Sequence, residues 1–289
     1  MYEPLWERPE AIRDVESILA SAPGRARVIA GGTDLAILIR RGEVRPEILV
    51  DLGRVAGMSQ IEVGPDEGRA EIGALVTHAR VADDRAIRAR ASALAQACRT
   101  VGSRQIRSRG TIGGNIANAS PAADGAVALL AFDAAAEVRG GDTPGGGRRV
   151  PLRELFEGPG KVALAPSELV TAFTFKLPGV DAKSVYLKVG QRKALAIAIA
   201  SAAVIFEPSA GRIRIALGSV APTPVRATAA ERFFEAELPR SGTSGALMDK
   251  VADLAVEAAS TIDDVRASAW YRADLVRTLT RRALGSLCD

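Results

Sequence analysis

Hydrophobic residues recur with two different spacings in the first part of the chain, which predicts alternating helices and strands. Segment 9–22 places apolar residues three or four positions apart, as on one face of a helix. Segments 27–30 and 48–52 are short apolar runs typical of buried strands. Between them a helix is expected over residues 35–41, because Gly42 is a typical residue for the end of a helix.

The middle of the chain continues this mixture. Alternating residues at 61–63 and 70–72 flank a Gly-containing turn and predict a hairpin. Residues 100–120 contain few long apolar side chains and many Gly, Ser and Asn, and hydrophobic spacing predicts no helix or strand there. Helices are expected from Thr77 and over 89–99 and 122–132, and strands over 135–139 and 169–177.

A change of composition predicts a domain boundary at residues 178–181. Beyond it, segments 185–189 and 195–206 fit either strands or a buried helix, which periodicity does not separate. Segment 212–217 alternates as a strand. Three helices are then expected over 225–237, 246–259 and 267–284. The order of elements indicates an α+β protein of two domains.

Composition excludes several kinds of redox protein. The 289 residues include one histidine and two cysteines, His78, Cys98 and Cys288, which lie far apart in sequence. A protein metal site usually needs three or four such ligands, and an iron–sulfur cluster needs about four cysteines. No metal site is therefore expected, and redox chemistry in this chain would need an organic cofactor.

Charge and hydropathy indicate which partners and which cellular compartment are expected for the protein. The formal net charge is +4, and the tightest basic cluster is Arg104, Arg107 and Arg109, with no aromatic residue interleaved. Nucleic-acid binding is therefore not expected. No segment approaches the ~18 apolar residues of a membrane span, and no signal peptide is recognisable, so a cytoplasmic protein is expected.

Two stretches are typical of phosphate-binding turns. Residues 30–34, Ala-Gly-Gly-Thr-Asp, lie between a predicted strand and a predicted helix, where backbone N–H groups can point at an anion. Residues 111–115, Thr-Ile-Gly-Gly-Asn, precede Asn118 and Asp124, which can bond the polar parts of a nucleotide. Each stretch alone also fits an ordinary turn. Neither is a Rossmann or P-loop motif, but two Gly-Gly turns suit a pyrophosphate held from two sides.

Together the two stretches resemble the paired FAD motifs of one family. This is the FAD-binding medium subunit of molybdenum hydroxylases, the group that contains carbon monoxide dehydrogenase and xanthine dehydrogenase. The resemblance is carried by residues 30–35 and by residues 106–115 with 119–124, at the family's spacing, and it covers nearly the whole chain. The chain lacks the cysteines of the branch of 4-hydroxybenzoyl-CoA reductase, which carries an additional Fe–S cluster.

The resemblance implies roles for individual residues. Both Gly-rich turns are expected to hold the FAD pyrophosphate, and Tyr186 and Lys188 resemble a Tyr-x-Lys element near the flavin. Tyr186 also fits a residue of the hydrophobic core, and Lys188 also fits a solvated residue of a strand. The arginine cluster fits a contact with the pyrophosphate, with a partner subunit or with solvent. No catalytic acid or nucleophile is expected. The cofactor-binding residues so implied are Ala30, Gly31, Gly32, Thr33, Asp34, Val101, Gly102, Thr111, Ile112, Gly113, Gly114, Asn115, Asn118, Asp124, Tyr186 and Lys188.

The resemblance also implies an architecture and a function. Residues 1–178 would form a two-lobed FAD-binding fold of the vanillyl-alcohol oxidase type, with lobes of about 1–57 and 58–178. Residues 181–287 would form the α+β C-terminal domain of carbon monoxide dehydrogenase flavoproteins.

The expected function is electron relay within a complex. The molybdenum cofactor would belong to a large subunit and two 2Fe-2S clusters to a small one. FAD in this chain would pass their electrons to an external acceptor, NAD, oxygen or a quinone, in a dimer of heterotrimers. The alternatives are a stand-alone FAD oxidoreductase of this fold and a non-catalytic nucleotide-binding assembly subunit. Substrate, acceptor and stoichiometry stay open.

Overall fold

Three consecutive α+β units build the computed structural model, which describes residues 2–65, 68–141, 146–192 and 195–288. Their sheets have three, five and four strands, and a two-stranded ribbon accompanies the second sheet. Among the described residues, no helix is long and apolar enough to cross a membrane.

The first unit is a small parallel sheet. Its order is β1-β3-β2, and parallel neighbours require the crossover helices that the sequence predicts. Gly42 ends the second helix in a left-handed conformation, with φ of 73°. The elements are β1 (Leu5–Glu7), α1 (Ile12–Ser21), β2 (Ala26–Ile29), α2 (Leu35–Arg41) and β3 (Ile48–Asp51).

The second unit is an antiparallel sheet covered by short helices. Its strand order is β4-β5-β10-β6-β7, so the last strand of the unit returns to the middle of the sheet. The elements are β4 (Ile61–Val63), β5 (Arg69–Gly73), α3 (His78–Asp83), α4 (Arg85–Arg90), α5 (Ser92–Thr100), α6 (Arg104–Arg109), α7 (Ile112–Ala117), α8 (Asp124–Ala131), β6 (Ala135–Gly140), β7 (Gly147–Pro151), α9 (Leu152–Leu155), β8 (Phe156–Gly158), β9 (Lys161–Val162) and β10 (Glu168–Lys176).

Two predictions for this unit were wrong. The helix expected over 89–99 is divided at Ala91 into α4 and α5. Residues 100–120, where hydrophobic spacing predicts no helix or strand, contain α6 and α7. Each begins at a short hydroxyl side chain that accepts from the backbone N–H three residues later, Ser103 from Ile106 and Thr111 from Gly114. These caps start helices that apolar periodicity does not reveal.

The third unit is an antiparallel sheet packed between helices. Its strand order is β11-β12-β13-β14. Both segments that periodicity left open are strands, and the first predicted helix begins only at Thr228, after a short strand. The elements are β11 (Lys183–Gly190), β12 (Ala198–Glu207), β13 (Arg212–Gly218), β14 (Val225–Arg226), α10 (Thr228–Ser241), α11 (Gly245–Val256) and α12 (Ala269–Cys288).

Strand β12 is buried along its whole length because helices cover both of its faces. Ala203 and Ile205 belong to the core that includes α5 and α8 of the second unit. Ala202, Val204 and Phe206 point the other way and belong to the core formed with α10, α11 and α12. A single strand therefore joins two hydrophobic cores, which explains its continuous apolar sequence.

Arg272 fixes the long C-terminal helix to this sheet. Its side chain is 3% exposed and donates to the carbonyl oxygens of Ile199 and Ser219, both at 2.8 Å. It also pairs with Asp264 Oδ1 at 2.6 Å. The buried charge is thus compensated by one carboxylate and two backbone acceptors.

Replacing this arginine should destabilise the protein strongly. Arg272→Met removes the side-chain donor from two carbonyl oxygens and one ion pair of Asp264, and we expect a loss of about 3 kcal/mol in free energy of unfolding. The matched control is Arg277→Met on the same helix, because Arg277 pairs with Asp253 on the surface. We expect that change to cost about 0.5 kcal/mol or less. Urea unfolding measures both, and equal midpoints for the two variants would contradict this account.

Candidate functional site

A cavity of about 580 Å³ lies between the first and second units. The turn after β2, the start of α7 and segment 157–170 all contribute to its wall. The structure therefore brings the two Gly-rich stretches, about eighty residues apart in sequence, to one cavity. The predicted residues that line it are Ala30, Gly31, Gly32, Thr33, Asp34, Val101, Thr111, Gly113, Gly114, Asn115 and Asn118.

The two stretches meet backbone to backbone. A Cβ atom on Gly31 would lie 2.0 Å from the carbonyl oxygen of Arg109, so only glycine permits this approach. A Cβ atom on Gly113 would lie 2.6 Å from the carbonyl oxygen of Ala74. Glycine at these two positions is therefore required by the packing of the protein itself.

Backbone donors are distributed unequally between the stretches. At the start of α7, the N–H groups of Ile112 and Gly113 donate to the carbonyl oxygens of Val76 and Ala74, both at 2.9 Å. That of Gly114 donates to Thr111 Oγ1 at 3.0 Å. By contrast, within the described ranges the N–H groups of residues 31–33 make no hydrogen bond to protein. The first turn is thus the part of the wall that offers backbone donors to an anion.

Gly114 and the asparagines give the second stretch a different contribution. A Cβ atom on Gly114 would meet only Thr111 Oγ1, at 3.1 Å, so glycine here leaves space beside the cavity that it lines. The side-chain oxygen of Asn115 is buried without a hydrogen-bond partner. Buried polar atoms are normally bonded, so this amide is suited to a ligand.

Asp124, Tyr186 and Lys188 form a buried cluster beside the cavity and do not line it. Tyr186 Oη donates to Asp124 Oδ1 at 2.5 Å, and Lys188 Nζ donates to Asp124 Oδ2 at 2.7 Å. Lys188 also donates to the carbonyl oxygen of Thr100 at 3.3 Å, next to Val101 of the cavity wall. The cluster therefore connects the third unit to one end of the cavity.

Burial controls the protonation of this cluster. It raises the pKa of the Asp124 carboxyl, and the Lys188 ammonium partly opposes that rise. Burial and the Asp124 charge together raise the pKa of Tyr186 well above its usual value. Tyr186 is consequently a neutral donor, and its hydroxyl is held by Asp124 within the hydrophobic core.

The remaining predicted residues have structural contacts. Ile112 is fully buried in the core, and Gly102 adopts a positive φ of 42°. Arg107 donates to the carbonyl oxygens of Val101 and Gly102, both at 3.0 Å. Of the arginine cluster, Arg107 thus holds the segment that lines the cavity, while Arg104 and Arg109 are exposed.

His78 lines the cavity and lies at the start of the helix that the sequence predicts from Thr77. It is the first residue of α3 and is 2% exposed. Burial first, and then the charge of Arg107, lower its pKa to about 4. No sequence motif identifies this histidine as a cavity residue. The one local feature in the sequence is that it follows Thr77, which caps the helix.

Segment 157–170 also lines the cavity and was not identified from sequence. It contributes apolar side chains together with Lys161 and Glu157. Among the residues the structure describes, no group of three or more histidine, cysteine or carboxylate side chains could hold a metal ion. The cavity is suited to an organic ligand with an anionic part.

Removing the cation of the buried cluster should make stability depend on pH. In Lys188→Met, Asp124 is buried without its counter-charge, so its pKa in the folded state rises further above the unfolded value. The folded state then binds more protons than the unfolded state, and stability falls as pH rises. We expect a loss of about 3 kcal/mol at pH 8 and a smaller one at pH 5, by urea unfolding.

The control for this prediction removes the buried charge as well. Asp124→Asn combined with Lys188→Met should show the same loss relative to the parent protein at both pH values. An equally large loss at pH 5 and pH 8 in the single variant would refute the role assigned to Asp124.

The sole histidine allows its protonation to be observed directly. We expect the ring C–H NMR signals of His78 to stay constant from pH 8 to pH 5.5 and to titrate near pH 4. The same chain in urea should titrate near the unperturbed value of about 6.5. A midpoint near 6.5 in the folded protein would show that the ring is accessible to water.

Comparison with protein families assigns both parts of the chain. Residues 1–178 match the FAD binding domain in molybdopterin dehydrogenase. Residues 185–287 match the CO dehydrogenase flavoprotein C-terminal domain.

Individual relatives match over nearly their whole length. The xanthine dehydrogenase FAD-binding subunit of Escherichia coli O157:H7 is 30% identical over 283 residues, 96% of this chain and 94% of that protein. The carbon monoxide dehydrogenase medium chain of Afipia carboxidovorans is 32% identical over 284 residues, 96% of this chain and 94% of that protein.

A solved structure shows the same fold. A chain of the reconstituted CO dehydrogenase from Oligotropha carboxidovorans superposes with a TM-score of 0.90 at 29% identity, covering 99% of this chain and 97% of that chain. The expected fold class is confirmed. The chain belongs to the family of FAD-binding medium subunits of molybdenum hydroxylases, the flavoprotein components of these oxidoreductases, and its cofactor is FAD.

Proposed function

We propose that this subunit relays electrons within a molybdenum hydroxylase complex. It would accept them from 2Fe-2S clusters of a small partner subunit and pass them to an external acceptor. A large molybdopterin-binding subunit would oxidise the substrate. The observation that carries the proposal is the cavity between the first two units, with a backbone suited to a dinucleotide and no metal-binding group among the described residues.

The residues around the cavity fit FAD. The N–H groups of residues 31–33 are available for the pyrophosphate, and Gly114 leaves space for its approach. Asn115 and Asn118 can bond polar groups along the dinucleotide. When bound, FAD supplies the chemistry of taking up and releasing electrons, while the protein supplies binding, orientation and electrostatics.

The Asp124 cluster is proposed to hold Lys188 in place at the flavin end of the site. Lys188 Nζ is tied to Asp124 and to the carbonyl oxygen of Thr100, which fixes a positive charge behind the segment containing Val101 and Gly102. A fixed cation there favours negative charge nearby. Tyr186 holds the other oxygen of Asp124, so it positions the carboxylate.

The organisation expected from sequence is part of the proposal. Residues 1–178, with lobes of about 1–57 and 58–178, would form the FAD-binding domain, and residues 181–287 the C-terminal flavoprotein domain. The complex would be a cytoplasmic dimer of heterotrimers. The relatives named as medium chains support a partnership with larger and smaller subunits.

Gly114→Val should abolish FAD retention without unfolding the protein. A Cβ atom at this position meets only Thr111 Oγ1, at 3.1 Å, and Gly114 lines the cavity, so the added methyl groups would take up space beside it. We expect the purified variant to lack flavin absorbance near 450 nm and to keep the circular dichroism of the parent protein.

The matched control places the same change in another helix. Gly285 lies in α12, and a Cβ atom there would meet only Arg281 Nη1 at 3.5 Å. Gly285→Val should retain FAD. A fully yellow Gly114→Val protein would show that the second Gly-rich stretch does not bind the cofactor.

The relay itself is tested by reconstitution. The FAD-loaded chain alone should not be reduced by the substrate of the complex under anaerobic conditions. Addition of the large and small subunits should allow reduction, seen as bleaching of the flavin absorbance. Direct reduction of the isolated chain by the organic substrate would instead support a stand-alone FAD oxidoreductase.

A further inference from the structure

The imidazole of His78 is a buried polar group without a partner in the wall of the cavity. The residue is 2% exposed, and its Nδ1 atom has no hydrogen-bond partner. In the described part of the chain its ring makes no hydrogen bond, although it lines the cavity. Because buried polar atoms are normally bonded, such a ring indicates a missing partner.

The position of the ring points to what that partner is. A Cβ atom built on Gly110 would lie 3.4 Å from His78 Cδ2 and 3.5 Å from Thr33 Oγ1. The ring and the Thr33 hydroxyl therefore both lie close to one point of the backbone, where the two Gly-rich stretches meet. The backbone N–H of His78 donates to the carbonyl oxygen of Gly110 at 3.0 Å, which fixes this arrangement.

Donors are needed at this junction. The N–H groups at the start of α7, in the second unit, are bonded within the protein. Within the described residues of the two stretches, free backbone donors are therefore found only on the side of the first unit, at residues 31–33. An anion between the two stretches would therefore need side-chain donors on the side of the second unit, where the backbone N–H groups are already bonded. The His78 ring lies on that side.

We propose that His78 is a further cofactor-binding residue, whose ring donates a hydrogen bond through an N–H group to the pyrophosphate of FAD. A neutral imidazole carries one N–H donor, and phosphate oxygens in this setting act as acceptors. The inference rests on the proposed placement of the pyrophosphate between the two Gly-rich stretches.

The environment of the ring favours the neutral form. Burial and the charge of Arg107 both oppose a second proton on His78 and lower its pKa to about 4. Arg107 is itself held by the carbonyl oxygens of Val101 and Gly102. Before an anion is bound, the ring therefore carries a single N–H group.

The sole histidine of the chain makes a direct test possible. The full chain, labelled with ¹⁵N-histidine and stripped of flavin, gives the ring nitrogens of one residue only. Titration with FAD or ADP, which contain a pyrophosphate, should shift these signals and identify the nitrogen that carries the proton. Adenosine, which lacks the pyrophosphate, should leave them in place.

Failure of this inference is distinguishable from failure of the proposed function. If the chain takes up FAD and the ring signals do not move, the assignment of His78 is wrong while FAD binding stands. If the same sample takes up no FAD, the proposed function and the assignment are both overturned.

Two substitutions separate donation from packing. His78→Leu should weaken ADP binding about tenfold or more, because a hydrogen bond to a charged group is lost, and should leave adenosine binding unchanged. His78→Gln keeps an N–H donor and should recover part of the affinity. If His78→Leu fails to fold, the ADP affinity of His78→Gln against the parent chain decides, together with the NMR titration. Equal loss of ADP and adenosine binding in either variant would overturn the proposal.

Discussion

The site depends on the contact between Gly31 and the backbone of Arg109. A Cβ atom on Gly31 would lie 2.0 Å from the Arg109 carbonyl oxygen, so two main chains touch where any other residue would separate them. This contact closes the first unit against the second and defines the cavity between them. It also explains why glycine is needed in the first turn even before a ligand is considered.

The second stretch has a different division of tasks. Its helix-start N–H groups bind Val76, Ala74 and Thr111 and thereby position α7 against the second sheet. What it contributes to a ligand is space at Gly114 and the side chains of the asparagines. The two Gly-rich stretches therefore have similar sequences but contribute differently to the site. The first offers free backbone N–H donors, and the second leaves space for a ligand because Gly114 has no side chain.

The sequence predicted those elements whose signals are local. Helices α1 and α2, the hairpin of β4 and β5, and strands β6, β10 and β13 follow from hydrophobic spacing and turn residues. Helices α6 and α7 were missed because hydroxyl caps start them while their residues are small or polar. Segments 185–189 and 195–206 stayed ambiguous because a strand buried on both faces loses its alternation.

For the site, motif residues were identified in advance, and three-dimensional neighbours were not. Residues 30–34 and most of 111–118 line one cavity, as the paired motifs indicated. His78 and segment 157–170 carry no motif, since they reach the cavity only through the packing of the second unit. Asp124 was identified with the second stretch, and Tyr186 and Lys188 were identified as one Tyr-x-Lys element. The hydrogen bonds that join them could not be predicted, because more than sixty residues separate Asp124 from the other two.

The two-sided burial of β12 has a consequence for how the protein can be divided. A Cβ atom on Gly218 in the neighbouring strand would lie 2.4 Å from Val127 of α8, and alternate residues of β12 complete the core of the second unit. Cutting the chain near residue 178 would therefore expose an apolar face of α8 to water. The boundary expected from sequence at residues 178–181 therefore crosses a hydrophobic core to which the second and third units both contribute side chains. A fragment of this chain that ends near residue 178 should therefore be prone to aggregate, because the strand that covers α8 is missing from it.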